Sequence, residues 1–264
     1  MPDNIQSVLD LLRCPLCRGA FIAEGSSLLC EHGHCFDSNK RGYVNLVPSQ
    51  RPTKYGEDIF LARSRIFEAG AYEPVAAALN ETVGDGCVLD AGCGEGFFLS
   101  AIQSGAPKLG VDLSKEAIAI AAKRDRGVAW MAADLARLPV RDGAVDVLIN
   151  ILSPANYPEF GRVLNREGLL VKLVPNADYL RELRSVSNKA AYSNEEVVAL
   201  FRNNVSEFSY LDIDYSVKVS REMKEDFLKM TPLTSFSDLR QENGEIESVT
   251  ISLRMLSGRK KVSG

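Results

Sequence analysis

The chain has 264 residues, 45% of them hydrophobic, and a formal net charge of −4 from 31 basic and 35 acidic side chains. That length is enough for a sizeable core and a small appended domain, and the charge balance does not mark the whole molecule as a nucleic-acid binder. No run of about eighteen apolar residues is present, and the start lacks the basic, apolar and small order of a signal peptide, so the expectation is a soluble, cytoplasmic protein with no membrane partner.

Residues 3–12 form an amphipathic lead-in with Ile5, Val8, Leu9 and Leu12 on one face. Cys14-Pro15-Leu16-Cys17 follows, then twelve intervening residues, then Cys30-Glu31-His32-Gly33-His34-Cys35. A C-x2-C turn presents two thiolates to one ion, and zinc needs four nitrogen or sulfur ligands at tetrahedral corners. A thioredoxin-like pair would instead sit at the start of a helix after a strand, which a Pro-led turn does not provide. His32 is too close to Cys30 for the usual knuckle, whereas His34 and Cys35 both reach the fourth corner. Either choice closes the site, so the zinc is structural, and it supplies what the core of about forty-five residues lacks.

Phe36-Asp37 and the run Gly42 through Pro48 read as strands that close this finger, giving a zinc-binding domain over 1–48. Residues 49–84 read as a basic linker and helices. Between Lys40 and Arg65, six basic residues (Lys40, Arg41, Arg51, Lys54, Arg63 and Arg65) stand against Glu57 and Asp58, a local excess of four positive charges. The spacing predicts a helix over 59–69 capped by Asp58 and another over 72–83.

Residues 85–264 predict an α/β domain, a Rossmann-like class I methyltransferase sheet. Val88-Leu89-Asp90-Ala91-Gly92-Cys93-Gly94-Glu95-Gly96-Phe97 reads as a strand turning sharply into a helix. A dinucleotide fingerprint would need glycine where Phe97 stands. The alternating D-x-G-x-G-x-G suits a ligand without pyrophosphate, S-adenosylmethionine, whose ammonium a carboxylate such as Asp90 orients. Asp112, followed by Leu113, ends a second apolar run and is placed for the ribose hydroxyls; Asp134, followed by Leu135, ends a third and is placed for the adenine amine. Each acid alone could be a helix cap, but three after three apolar runs in a βαβαβ rhythm favour a cofactor site.

A fourth strand over 144–152 ends at Ser153-Pro154-Ala155-Asn156, a loop expected to face the methyl group. Asn150 belongs with the cofactor site, and Asn150 and Asn156 are candidate donors to a base edge. A fifth strand over 170–174, a mostly helical 176–202, a strand over 205–219, a helix over 221–230 and a last strand over 248–256 complete the pattern. Arg259-Lys260-Lys261 reads as ordinary solvated charge.

The combination resembles the 23S rRNA (guanine-N1) methyltransferase A family, which methylates a guanine in hairpin 35 and includes members giving macrolide resistance. The likeness lies in Cys14-Pro15-Leu16-Cys17, Cys30 through His34, Phe36-Asp37, Gly42 through Leu46, Ala69-Gly70-Ala71-Tyr72-Glu73-Pro74, the glycine loop and Met230-Thr231-Pro232. It implies Cys14, Cys17, Cys30 and His34 as the zinc ligands, with Cys35 a neighbour. It implies that Tyr72 reaches over the cofactor, that Phe97 lines its pocket and that Tyr179 occupies a histidine-like position. Three positions depart from the family pattern: Leu152-Ser153-Pro154 replaces Tyr-Ala-Pro, Tyr179 replaces histidine, and the aromatic past Met-Thr-Pro is displaced to Phe236.

The expected reaction is methylation of guanine N1 in 23S rRNA, with Arg51, Lys54, Arg63, Arg65 and Asn156 as substrate contacts and no catalytic base assigned. Two other readings stay open: a small-molecule methyltransferase with a structural finger, and a zinc-dependent RNA-binding module with a vestigial cofactor pocket. The residues do not decide the oligomeric state, and a homodimer stays open.

Overall fold

A computed structural model describes residues 1–47, 56–184, 192–230 and 246–261. Arg51, Lys54, Pro48, the Thr231-Pro232 pair and Phe236 therefore lie outside the described residues.

The central strands are short apolar runs. In β5 (Val88–Ala91) and β7 (Ala129–Ala132) every residue is buried, as expected for parallel strands covered on both faces. With β4 (Val44–Asn45), β6 (Lys108–Asp112), β8 (Val145–Ile151), β9 (Leu164–Pro175), β10 (Val205–Lys218) and β11 (Ser248–Lys260) they form one sheet, ordered β10-β11-β9-β8-β5-β6-β7-β4. The strands from β4 to β9 pair in parallel, while β11 is antiparallel to both β9 and β10. The chain runs outward from β5 through β6 and β7, then returns to β8 on the other side of β5. The carboxyl ends of β5 and β8 are thus the switch point where this type of sheet binds ligands.

One sheet face is covered by α2 (Glu57–Glu68), α3 (Glu73–Val83), α4 (Phe97–Ala101), α5 (Lys115–Arg124) and α9 (Arg221–Met230), whose Phe67, Leu79, Phe98, Ile118 and Phe227 pack on Val88, Ile149 and Leu173. On the opposite face, α6 (Tyr157–Val163) and α8 (Glu195–Asn204) contribute Phe160 and Phe201. That face has no crossover helix between β7 and β8; the connection holds only the 3-10 turn Leu135–Arg137.

The N-terminal segment fills this gap. Its hairpin of β1 (Phe21–Glu24), β2 (Ser27–Cys30) and β3 (Cys35–Asp37) shares one apolar core with Leu89, Leu109 and Met131. The Arg13 amide donates to the Pro139 carbonyl at 3.0 Å, and the Arg141 amide donates to the Leu11 carbonyl at 2.7 Å. The ribbon is therefore part of the sheet's covering layer.

Several local expectations are corrected. The segment expected to close the finger contributes β4, which pairs with β7 at the sheet edge (Val44 with Met131, Asn45 with Ala132), because Val44 finds its apolar surroundings in the large sheet. Gly56, not Asp58, is the N-cap of α2. β9 begins at Leu164 as one continuous strand, and β11 extends to Lys260. In the stretch expected to be mostly helical, the described helices are α7 (Arg181–Arg184) and α8. Among the described residues no helix is long and apolar enough to cross a membrane.

Candidate active site and metal centre

The metal centre is built by two tight turns. In the first, Arg18 takes a left-handed φ of 66° and its amide donates to the Cys14 carbonyl at 2.8 Å, folding the knuckle back on itself. In the second, Gly33 takes φ 82° and the Cys30 amide donates to the His34 carbonyl at 2.9 Å. The ligand atoms of Cys14, Cys17, Cys30 and His34 lie within 4.8 Å of one another. Cys17 Sγ is 3.6 Å from Cys30 Sγ, and His34 Nδ1 is 3.2 Å from Cys30 Sγ. Zinc–sulfur bonds of about 2.3 Å give tetrahedral edges of about 3.8 Å, so the donor set fits one zinc ion. Burial raises the Cys30 thiol, but the His32 and His34 amides and the His34 ring outweigh it and bring it down to about 6, favouring the thiolate that a metal needs. Cys35 is exposed on β3, outside the cluster.

The cofactor loop follows β5. The Gly92 and Cys93 amides donate to the Val111 carbonyl at 2.8 and 3.1 Å, tying the turn to β6. Gly92 takes φ 90°, and a Cβ there would lie 2.1 Å from Ser153 Oγ, so the loop after β8 closes directly on this glycine. Leu135 also reaches within 3.7 Å of that position. At Gly96 a Cβ would lie 2.4 Å from the buried Trp130 ring; this glycine serves core packing as well as the turn.

Asp112 uses both carboxylate oxygens on backbone, accepting from Gly94 N at 2.9 Å and Ser114 N at 2.8 Å. Burial raises its pKa against those hydrogen bonds and the nearby Arg63. Asp90 is buried, its Oδ1 has no hydrogen-bond partner, and burial together with the charges of Asp112 and Glu95 holds its carboxyl well above the usual range. Both oxygens of buried Glu95 likewise lack a hydrogen-bond partner, with Arg63 Nη1 at 3.5 Å. Two buried carboxylates with unpartnered oxygens, Asp90 and Glu95, beside bare glycine backbone fit a ligand that carries positive charge, as a sulfonium with an ammonium group does.

An aromatic wall flanks the loop. Phe97 stacks on Phe67 with centroids 4.4 Å apart, and Tyr72 meets Phe67 edge-on at 5.0 Å. The Tyr72 and Tyr179 hydroxyls share a hydrogen bond of 2.7 Å, and burial raises both phenols. Asp134 caps the 3-10 turn by accepting from Ala136 N at 2.9 Å, and Leu113 is half-buried after β6.

The structure redirects four expected contacts. Asn150 is fully buried and braces the site: its Nδ2 donates to the Ala91 carbonyl at 2.6 Å and its Oδ1 accepts from Lys172, leaving nothing for a base edge. Asn156 caps α6, accepting from Glu159 N at 3.3 Å and donating to the Leu135 carbonyl at 3.2 Å. Arg65 is locked in a fork with Asp226 of α9, and Arg63 faces the glycine loop. The basic C-terminal cluster is also engaged, with Arg259, Lys260 and Lys261 donating to the carbonyls of Glu167, Leu164 and Asn203.

Sequence reasoning gave no role to Glu95, Ser153 or Lys172. Lys172 alone had a visible signal, as a lone charge inside the apolar run Leu169-Leu170-Val171-Lys172-Leu173-Val174. A cavity of about 670 Å³ between α7 and β10–β11 lies apart from this site, and its polar groups pair among themselves, as in the Arg254–Asp212 fork and the Asn176–Asp212 hydrogen bond.

Residues 12–53 match the family model described as RlmA, N-terminal, and residues 88–168 match that of a methyltransferase domain. YxjB of Bacillus subtilis (strain 168), whose name assigns it provisionally to 23S rRNA (guanine-N1) methylation, is 38% identical over 243 residues, covering 84% of this chain and 86% of that protein. The chain belongs to the 23S rRNA (guanine-N1) methyltransferase family. A second member, the 23S rRNA (guanine(748)-N(1))-methyltransferase of Streptomyces fradiae, is 36% identical over 192 residues, covering 67% of this chain and 68% of that protein. The fold is shared more widely: the YcgJ protein of Bacillus subtilis superposes with a TM-score of 0.51 at 18% identity, covering 71% of this chain and 98% of that one. As a member of the methyltransferase family, the chain uses S-adenosylmethionine and carries a structural zinc site.

Proposed function

We propose that this protein methylates N1 of a guanine in hairpin 35 of 23S rRNA. The observation that carries the reading is one continuous body holding both parts of the family: a four-ligand ribbon and a glycine loop ringed by unpartnered buried carboxylates. Relatives of both parts are named for guanine-N1 methylation of 23S rRNA.

When bound, S-adenosylmethionine supplies an electrophilic methyl group on a cationic sulfur. The chain's residues hold and orient it. Gly92, Gly94 and Gly96 would admit it against bare backbone, Asp90 would hold its ammonium, Asp112 and Asp134 would hold its nucleoside, and Leu113, Leu135, Phe97, Tyr72 and Tyr179 would line the remaining walls. The loop after β8 presents the acceptor side. Leu152 there takes φ 50° and remains 42% exposed, a strained position that holds an apolar side chain up at the carboxyl end of the sheet. The two histidines of the chain, His32 and His34, both lie in the ribbon, so no imidazole stands ready to receive the N1 proton. Alignment of donor and acceptor is therefore the main source of acceleration. RNA contacts from the ribbon side and the Arg51–Lys54 stretch position the hairpin, in the cytoplasm, where the substrate is.

The test is methyl transfer from labelled S-adenosylmethionine to protein-free 23S rRNA from a strain lacking the gene, followed by mapping of the modified base. Label at N1 of a hairpin 35 guanine supports the reading. Cofactor binding with no label in that RNA overturns it in favour of a small-molecule acceptor.

A further inference from the structure

Arg63 projects from α2 to the glycine loop. Its Nη1 is 3.5 Å from Glu95 Oε2, and it lies 3.5 Å from where a Cβ on Gly94 would stand. The side chain is 29% exposed, its guanidinium carbon lies 5.6 Å from the Phe60 ring centroid, and its 3.5 Å ion pair with Glu95 is longer than a normal N–H···O hydrogen bond. A largely buried guanidinium with five donors in a fixed fork is built for a planar anion. Glu95 holds it in place by charge without occupying that fork.

The neighbouring cation is tied back to α2 through one nitrogen, Nη2, while its buried Nε has no hydrogen-bond partner. Arg124, also close to the loop, donates to Ser64 Oγ at 3.1 Å and Glu68 Oε1 at 3.3 Å. The charges complete the case. Asp90 and Glu95 match the cationic groups of the ligand, whereas its methionine end also carries one carboxylate, which needs a cation beside the same loop.

Resting on the reading that this loop binds S-adenosylmethionine, we propose that Arg63 is the residue that receives the cofactor's carboxylate, with Glu95 as the positioning residue that aims it. Arg63 then reads the ligand, and it is withdrawn from the RNA phosphates.

The test measures binding of S-adenosylhomocysteine and of its decarboxylated analogue by calorimetry, with no RNA present, for the wild type, Arg63→Met, Arg63→Lys and Glu95→Gln. The expected result is a loss of about tenfold to hundredfold for S-adenosylhomocysteine in Arg63→Met, the size of a charge-assisted hydrogen bond. The analogue, which lacks the carboxylate, binds wild type and Arg63→Met alike. Arg63→Lys keeps the charge without the fork and loses less, and Glu95→Gln loses affinity selectively for the carboxylate ligand. Equal losses for both ligands, or no loss for either, overturn the assignment. Should Arg63→Met fail to fold, the ligand selectivity of Arg63→Lys decides in the same way. Wild-type protein that binds neither ligand overturns the cofactor reading itself, and this assignment with it.

Discussion

Lys172 donates its ammonium to the carbonyl oxygen of Ser153 at 2.7 Å, linking β9 to the loop that closes on Gly92. The same ammonium donates to Asn150 Oδ1, so one buried cation braces the end of β8 and the loop beyond it. Burial pulls its pKa down to about 8, and no nearby charge contributes to that shift.

A pH dependence of stability follows. A lysine in the unfolded chain keeps its proton to about pH 10.4. Between about 8 and that value the unfolded state therefore holds one more proton than the folded state, and stability rises with pH. From pH 7 to 9.5 the expected gain is about 2 kcal/mol, at about 1.36 kcal/mol per pH unit above the folded pKa. Urea unfolding of wild type and Lys172→Met at both pH values checks it. The variant should lose this increment; identical slopes in the two proteins would show that Lys172 does not titrate there.

Zinc removal should reach the methyltransferase core. Trp130, the chain's single tryptophan, lies in β7, whose edge is covered by β4 from the ribbon segment. Ile5, Val8, Leu12, Phe21 and Leu28 share one core with Leu89, Leu109 and Met131. A chelator should therefore shift Trp130 emission to the red in the same transition that abolishes S-adenosylhomocysteine binding. Emission that stays native while zinc is lost would mean that the ribbon folds apart from the sheet.

The parts legible in the sequence were those with a local signature. β5, β6, β7 and β8 are apolar runs because parallel strands are buried on both faces, and the glycine loop shows itself because only glycine turns so tightly beside Ser153. β4 was legible as a strand but its partner was not, since Val44 and Asn45 pair with Met131 and Ala132 of β7, far along the chain. The direction an arginine points is not local either. Arg63 and Arg65 are two residues apart on one helix, yet one faces the glycine loop and the other pairs with α9. Asn150 looked like a base-edge donor because the partners that engage its side chain, Ala91 and Lys172, lie fifty-nine and twenty-two residues away.

Gly110 matters as much to packing as the glycines of the loop. A Cβ at this position of β6 would lie 2.2 Å from Trp130 Cζ3 and 2.3 Å from its Cε3, so the indole occupies the space that glycine leaves. Gly110→Ala should cost about 3 kcal/mol, the upper range for overpacking a dense core. In a Trp130→Leu background the added methyl finds room, and most of that penalty should disappear. A double-mutant cycle from urea denaturation measures this coupling; additive effects would place the strain elsewhere.

Arg65 should behave as a structural residue although it sits in the most basic stretch of the chain. Its Nε donates to Asp226 Oδ2 at 2.8 Å and its Nη2 pairs with Oδ1 at 2.5 Å, a two-point fork between α2 and α9. The Arg65 side chain is 53% exposed while Asp226 is 11% exposed, so water screens one partner only. Exposed pairs contribute about 0 to 1 kcal/mol, and this geometry places Arg65→Met near the upper end of that range as a loss of stability. Removing a phosphate contact would instead weaken RNA binding uniformly and lower the slope of log Kd against log salt by about 1. Because Asp226 holds the fork, Arg65→Met should leave that slope unchanged in filter-binding titrations with hairpin 35 RNA between about 50 and 200 mM salt. A slope reduced by a full unit would return Arg65 to the RNA interface and make the Asp226 pair a contact that opens when RNA arrives.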